Sequence, residues 1–172
     1  MLFSDAGKAL RFAEDEVRAM GRNAGGVRGM RLPDGGQVIS LLTAADENVS
    51  VLTATENGYG KRTNITEYLR HGRGTKGMIA IQQSERNGKV VAATLVHADD
   101  EIMLITDTGV LVRTRVAEIR ELGRATQGVT LIALDEGAKL SGMQRIVEND
   151  AQGAADDSPT ADDNGPSSED TP

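Results

Sequence analysis

The chain has 172 residues, 38% hydrophobic and 26% charged, with a formal net charge of −7, no Cys, no Trp and four aromatics, Phe3, Phe12, Tyr59 and Tyr68. That length suits one ordinary domain, and the lack of Cys excludes a disulfide scaffold and a thiolate metal site. No run of about 18 apolar residues is present to span a membrane, and no secretory h-region follows the N-terminus.

The charge is unevenly spread. Residues 148–172 hold eight acids and no base, which leaves 18 acids against 19 bases, or +1, in residues 1–147. Of those 19 bases 14 are Arg. Segment 148–172 also carries Pro159, Pro166 and Pro172 and almost no large apolar residue. It cannot bury enough surface to offset its ordering entropy and is expected to be a disordered acidic tail. Tethered beside a slightly basic body, such a polyanion is expected to compete for the basic surface.

Along 1–147 the elements read as short strands in a repeated unit. A strand is under way at Met1, and Gly7 closes the first turn. Segments 27–32 and 37–42 give a third and a fourth strand. In the second unit VSVLTAT (49–55) and YGKRT (59–63) flank Asn57-Gly58, followed by strands at 78–81 and 89–96. In the third, EIMLIT (101–106) and VLVRTR (110–115) flank Asp107-Thr108-Gly109, and strands at 129–134 and 139–147 follow. Gly-containing turns between short apolar runs are hairpin signals. Segment 116–122 also reads as a helical turn.

The units share one period. Gly7, Gly58 and Gly109 lie 51 residues apart, as do Arg11, Arg62 and Arg113, the pairs Gly21-Arg22, Gly72-Arg73 and Gly123-Arg124, and Gly26, Gly77 and Gly128. The units run over 1–44, 45–96 and 97–147, and the first lacks its opening stretch. Four strands per unit describes an all-β, propeller-like array of about three blades, the first incomplete. Closed rings need four to eight blades, so the chain is expected to be the C-terminal piece of a longer protein.

The strings TATENGYGKRT (53–63), ITDTGVLVRTR (105–115), GRNAGGVRG (21–29), HGRGTKG (71–77) and GRATQGV (123–129) resemble the later blades of the C-terminal DNA-wrapping domain of the DNA gyrase A family. The resemblance covers about residues 1–147. It implies a β-pinwheel that bends double-stranded DNA around a basic outer rim, as a non-catalytic part of an ATP-dependent type II topoisomerase. The partners it implies are DNA, the remainder of gyrase A, and gyrase B, with no membrane contact. The location it implies is the bacterial cytoplasm, beside the chromosome. ATP and Mg would belong to the holoenzyme, with no cofactor in this part. The family's first-blade basic box and its strand-cleaving domain have no counterpart here. The corresponding region of topoisomerase IV is the nearest alternative, and a protein-binding propeller a more distant one.

Arg forks match phosphate oxygens, and rows of charge at blade spacing suit a bent DNA backbone better than base reading. The candidate contacts are Arg22, Arg73 and Arg124 on the loops and Arg11, Arg62 and Arg113 on the strands, with Lys61, Lys76 and Arg115 nearby. The alternative for the arginines is pairing with Glu67, Glu118 or Glu121. Gly7, Gly58, Gly109, Gly26, Gly77 and Gly128 are read as turn residues. Tyr59, at a hairpin, and Tyr68, in a connector, are not read as nucleophiles. His71 and His97 lack any metal or triad pattern, and no phosphate-binding P-loop occurs.

Overall fold

The computed structural model describes residues 1–147. Expectations for the acidic segment 148–172 lie outside the described residues. The strands are β1 (Leu2–Ser4), β2 (Lys8–Leu10), β3 (Val38–Leu41), β4 (Ser50–Thr55), β5 (Tyr59–Asn64), β6 (Met78–Ile79), β7 (Val90–Val96), β8 (Glu101–Thr106), β9 (Leu111–Arg115), β10 (Val129–Thr130) and β11 (Leu140–Ile146). Single 3-10 turns follow three of them, at Glu14–Glu16, Ile65–Glu67 and Val116–Glu118. The last is the helical turn anticipated within 116–122.

All pairing is antiparallel within three sheets, ordered β3-β1-β2-β6, β10-β5-β4-β7 and β11-β8-β9. The inner strand β7 lies beside both β3 and β11, so the sheets stand side by side around an arc. Ser40 Oγ accepts the Ala93 N–H at 3.0 Å across the first pair of inner strands.

Alternation along β4 builds the two cores. Successive side chains of a strand point to opposite faces. Val51 packs with Phe3, Ala9, Ile65 and Tyr68 between the first two sheets. Leu52 and Ala54 pack with Ile102, Leu104, Val116 and Leu140 between the second and third. Every residue of β4 is buried, as expected of a strand covered on both faces.

The outer strand of each complete sheet is borrowed. β6, from the second unit, pairs with β2 of the first, and β10, from the third, pairs with β5 of the second. A hairpin edge offers unpaired N–H and C=O groups, and the next unit's strand satisfies them. The expected strand at 27–32 does not form, because among the described residues no preceding sheet edge meets it. Its backbone bonds go instead to the next loop, Arg31 N–H to Thr75 O at 2.8 Å and Gly74 N–H to Gly29 O at 2.5 Å. Borrowing also moves the incomplete blade. The first sheet has four strands, and the third has three among the described residues.

Two glycines show what the borrowing demands. Gly58 has φ +80°, and a Cβ there would lie 2.6 Å from Ile132 O of the incoming segment. Gly77 has φ +71°, and its Cβ would press on Ala9 O. Left-handed backbone and close approach together leave room only for hydrogen.

Candidate nucleic-acid interface

Three connectors, 17–31, 68–77 and 119–128, lead from the 3-10 turns toward the outer-strand positions. The second runs beside β2 and the third beside β5, through bridges Arg11 to Arg70 and Arg62 to Glu121. The loop arginines sit on these connectors, and two of them are latches. The Arg73 N–H reaches Glu16 Oε2, and its side chain donates from Nε to Glu16 O at 2.9 Å and from Nη1 to Arg28 O at 3.2 Å. One period later the Arg124 N–H reaches Glu67 Oε2 at 3.1 Å, and Nη1 donates to Ile79 O at 3.0 Å. Both side chains are half-buried. Glu67, the alternative ion-pair partner for the arginines, instead accepts the backbone N–H of Arg124. Arg22 is exposed and has no partner among the described residues.

The strand arginines divide similarly. Arg11 is buried; Nη1 donates to Ile65 O and Tyr68 O, and Nη2 pairs with Glu47 at 2.8 Å. Arg62 donates from Nε to Ile119 O at 2.7 Å, the carbonyl one period beyond Tyr68. Guanidinium donors here satisfy carbonyls of the neighbouring blade's connector, groups costly to leave unpaired when buried. Arg113 is exposed and pairs with Glu101, which also stands 3.8 Å from Arg115 Nε.

Lys61 is fully buried on the face of the second sheet that it shares with Thr53 and Val51, where Leu10 and Val112 hold the equivalent positions of the other units. Its Nζ donates to Gly123 O and, at 2.6 Å, to Arg124 O. Burial, opposed by Glu67 and reinforced by Arg124, pushes its pKa down to about 8. It tethers the loop from beneath and is not presented to solvent.

Seven bases on the connectors are exposed without a side-chain partner among the described residues: Arg18, Arg22, Arg28, Arg31, Arg70, Lys76 and Arg120. The only acid on the same stretches is Glu121, which accepts the Ser50 hydroxyl at 3.0 Å. This rim can take phosphate oxygens without first breaking an internal bond. Five of the seven, Arg18, Arg28, Arg31, Arg70 and Arg120, escape a reading built on strict three-fold repetition. Arg18 and Arg120 share a position that Leu69 holds between them. The signal that marks them is the near absence of acids from the connectors.

Of the turn glycines, Gly7, Gly58, Gly109, Gly26, Gly77 and Gly128 all have positive φ. Tyr68 is buried edge-on against Phe3, with ring centroids 6.1 Å apart, and burial raises its pKa. The Tyr59 ring carries the Arg86 guanidinium 4.7 Å from its centroid. His71 and His97 are exposed. Among the described residues no cluster of three or more His, Asp or Glu is arranged to hold a metal, and no helix is long and apolar enough to cross a membrane.

Comparison with known proteins adds to this geometry. The family described as DNA gyrase C-terminal domain, beta-propeller, matches residues 1–45, 50–97 and 100–146. The DNA gyrase A protein of Pseudomonas aeruginosa is 55% identical over 148 residues, covering 86% of this chain and 16% of that protein. Its Escherichia coli K12 counterpart is 54% identical over 148 residues, covering 86% and 17%. The chain thus spans about a sixth of the length of these relatives. A solved DNA gyrase A C-terminal domain superposes with TM-score 0.79 at 30% identity, covering 85% of this chain and 50% of that one. A C-terminal domain of DNA topoisomerase IV gives TM-score 0.79 at 25% identity, covering 84% and 45%.

Proposed function

The chain belongs to the DNA gyrase C-terminal domain family of β-propellers, and from that premise we propose that it binds the backbone of double-stranded DNA along its outer rim. It thereby supplies part of the wrapping surface of a type II topoisomerase that introduces negative supercoils. The observation that carries this reading is the set of exposed, partnerless bases on three connectors at blade spacing, with one acid among them. Phosphate neutralisation gives most sequence-independent affinity, and successive basic points on a curved body follow a bent duplex without reading bases.

Cleavage and ATP hydrolysis are assigned to the remainder of gyrase A and to gyrase B, with ATP and Mg as their cofactors. The working location is the bacterial cytoplasm, beside the chromosome. The gyrase reading is preferred to topoisomerase IV because relatives at 54–55% identity are gyrase proteins, while the topoisomerase IV structure is 25% identical.

The test is a fluorescence-anisotropy titration of the full chain with two unrelated duplexes over a range of salt. Equal affinities that fall steeply and linearly with log salt support the reading. Binding to one duplex only, or binding indifferent to salt, contradicts it.

A further inference from the structure

The third connector is held by β5 over residues 119–124. The Arg62 N–H donates to Arg120 O at 3.3 Å, the Leu122 N–H to Arg62 O at 2.9 Å, and Arg62 Nε to Ile119 O at 2.7 Å. Thr63 Oγ1 then donates to Leu122 O at 2.7 Å, and the Lys61 ammonium to the next two carbonyls, Gly123 O and Arg124 O. One period earlier the backbone part of this pattern recurs, with the His71 N–H on Arg11 O at 2.8 Å. Phe12 and Leu10 stand there in place of Thr63 and Lys61, and their side chains have nothing to donate. That loop is held by Arg73, through Glu16 O and Arg28 O, whereas Arg124 gives its own loop a bond to Ile79 O. The second unit thus sets a buried charge under a rim loop where the other two have hydrocarbon.

A buried ammonium is a costly way to satisfy two carbonyls, and its charge is the part of it that can be lost. The charged groups that face it are Glu67, from the 3-10 turn after β5, and Arg124, from the connector itself. Its neighbours on the sheet face, Thr53 and Thr63, are neutral. The Tyr68 phenol, subject to the same two charges, is kept neutral by burial. Protonated, Lys61 offers three donors and a full charge to the carbonyls; deprotonated, it is a weaker, uncharged donor.

We propose that Lys61 is a positioning residue for DNA binding: its charged amine fixes the third connector, and with it Arg120, in the arrangement that meets phosphate, and loss of its proton weakens that hold. Lys61 is wholly buried and acts through the connector. Given that the rim binds DNA, the reading on which this depends, phosphates gathered there favour the protonated amine beneath them. Binding then raises the amine's pKa, and by linkage protonation strengthens binding by the same factor. The sign follows from the free protein's pKa of about 8. DNA affinity is full below that value and is lost as pH rises from it toward the higher pKa of the complex. Deprotonation adds to folding stability over this window, because the folded pKa lies below the unfolded 10.5. A loss of affinity there is not unfolding.

Anisotropy titrations of the full chain with one duplex, at constant salt from pH 7 to pH 9, test this beside Lys61→Met. If DNA raises the amine's pKa by about one unit, wild-type affinity should fall about fivefold across that range. The variant should give a flat profile near the wild-type value at pH 9. Calorimetry at pH 8 in two buffers of different ionisation heat should show wild type taking up about 0.4 proton more than the variant on binding DNA. Lys61→Leu, which copies Leu10, replaces Lys61→Met if the latter loses its native circular dichroism. Salt-dependent binding at pH 7 with parallel pH profiles, or with equal proton uptake by wild type and variant, overturns this proposal alone. Absence of salt-dependent binding by wild type at pH 7 overturns the DNA-binding reading and this proposal with it.

Discussion

Arg73 and Glu16 hold each other twice, the Arg73 N–H donating to Glu16 Oε2 at 3.0 Å and Arg73 Nε donating to the Glu16 carbonyl at 2.9 Å. The contact joins consecutive units, and Arg124 with Glu67 repeats its carboxylate half one period later. A repeated arginine on the outside of the fold here spends donors on the protein itself.

Arg124→Ala should therefore act first on stability. It removes the bond to Ile79 O and the side chain that packs the loop, at a cost of about 1–3 kcal/mol. Arg124→Lys should restore little, because an ammonium lacks the planar fork. Urea denaturation monitored by circular dichroism checks both; an unchanged midpoint in Arg124→Ala would remove the latch from the account.

The glycines of the junctions should separate by whether a neighbouring strand is present. Gly77→Ala sets a Cβ hard against Ala9 O in left-handed backbone and should cost on the order of 3 kcal/mol or more. Gly109, φ +86°, has nothing within 4 Å of its Cβ position. Its alanine variant should lose only about 1–2 kcal/mol of backbone strain. Equal losses at the two sites would mean that strand borrowing does not set the requirement.

Lys61 makes stability depend on alkaline pH. Its folded pKa of about 8 lies below the unfolded value of 10.5, so between these the unfolded chain binds more protons. Stability should rise with pH across that window, by up to about 3 kcal/mol, and the gain is absent below pH 8. Lys61→Met should flatten this dependence. Parallel pH profiles for wild type and variant, measured by urea midpoints from pH 7 to 10.5, would refute the assignment.

The strands were legible because hairpin turns and alternation are local: β4, β5, β8 and β9 fall where Asn57-Gly58 and Asp107-Thr108-Gly109 place them. Partnership was not. Nothing in MIAI (78–81) distinguishes pairing with its own unit from pairing with β2, since edge satisfaction is decided by which neighbour arrives. The same limit governs the arginines. A guanidinium can donate to a phosphate or to a backbone carbonyl, and Arg11 and Arg62 differ from Arg70 and Arg120 only in what the fold sets around them. A clue to the latch was present in Glu16, Glu67 and Glu118, which repeat at 51 residues alongside the loop arginines. Lys61 carried no such clue, because neither of its counterparts, Leu10 and Val112, is charged.

The division of the bases into rim and latch is tested most directly by one comparison of DNA binding. A variant with Arg18, Arg31, Arg70, Lys76 and Arg120 all changed to Ala is set beside wild type and Arg124→Ala in a salt titration with a duplex of arbitrary sequence. Each lost phosphate contact should take about 0.9 from the slope of log affinity against log salt. The account predicts a much flatter slope and an unchanged melting temperature for the rim variant, and a wild-type slope with a lowered melting temperature for Arg124→Ala. A rim variant that binds as wild type does, with the slope lost in Arg124→Ala instead, would contradict it.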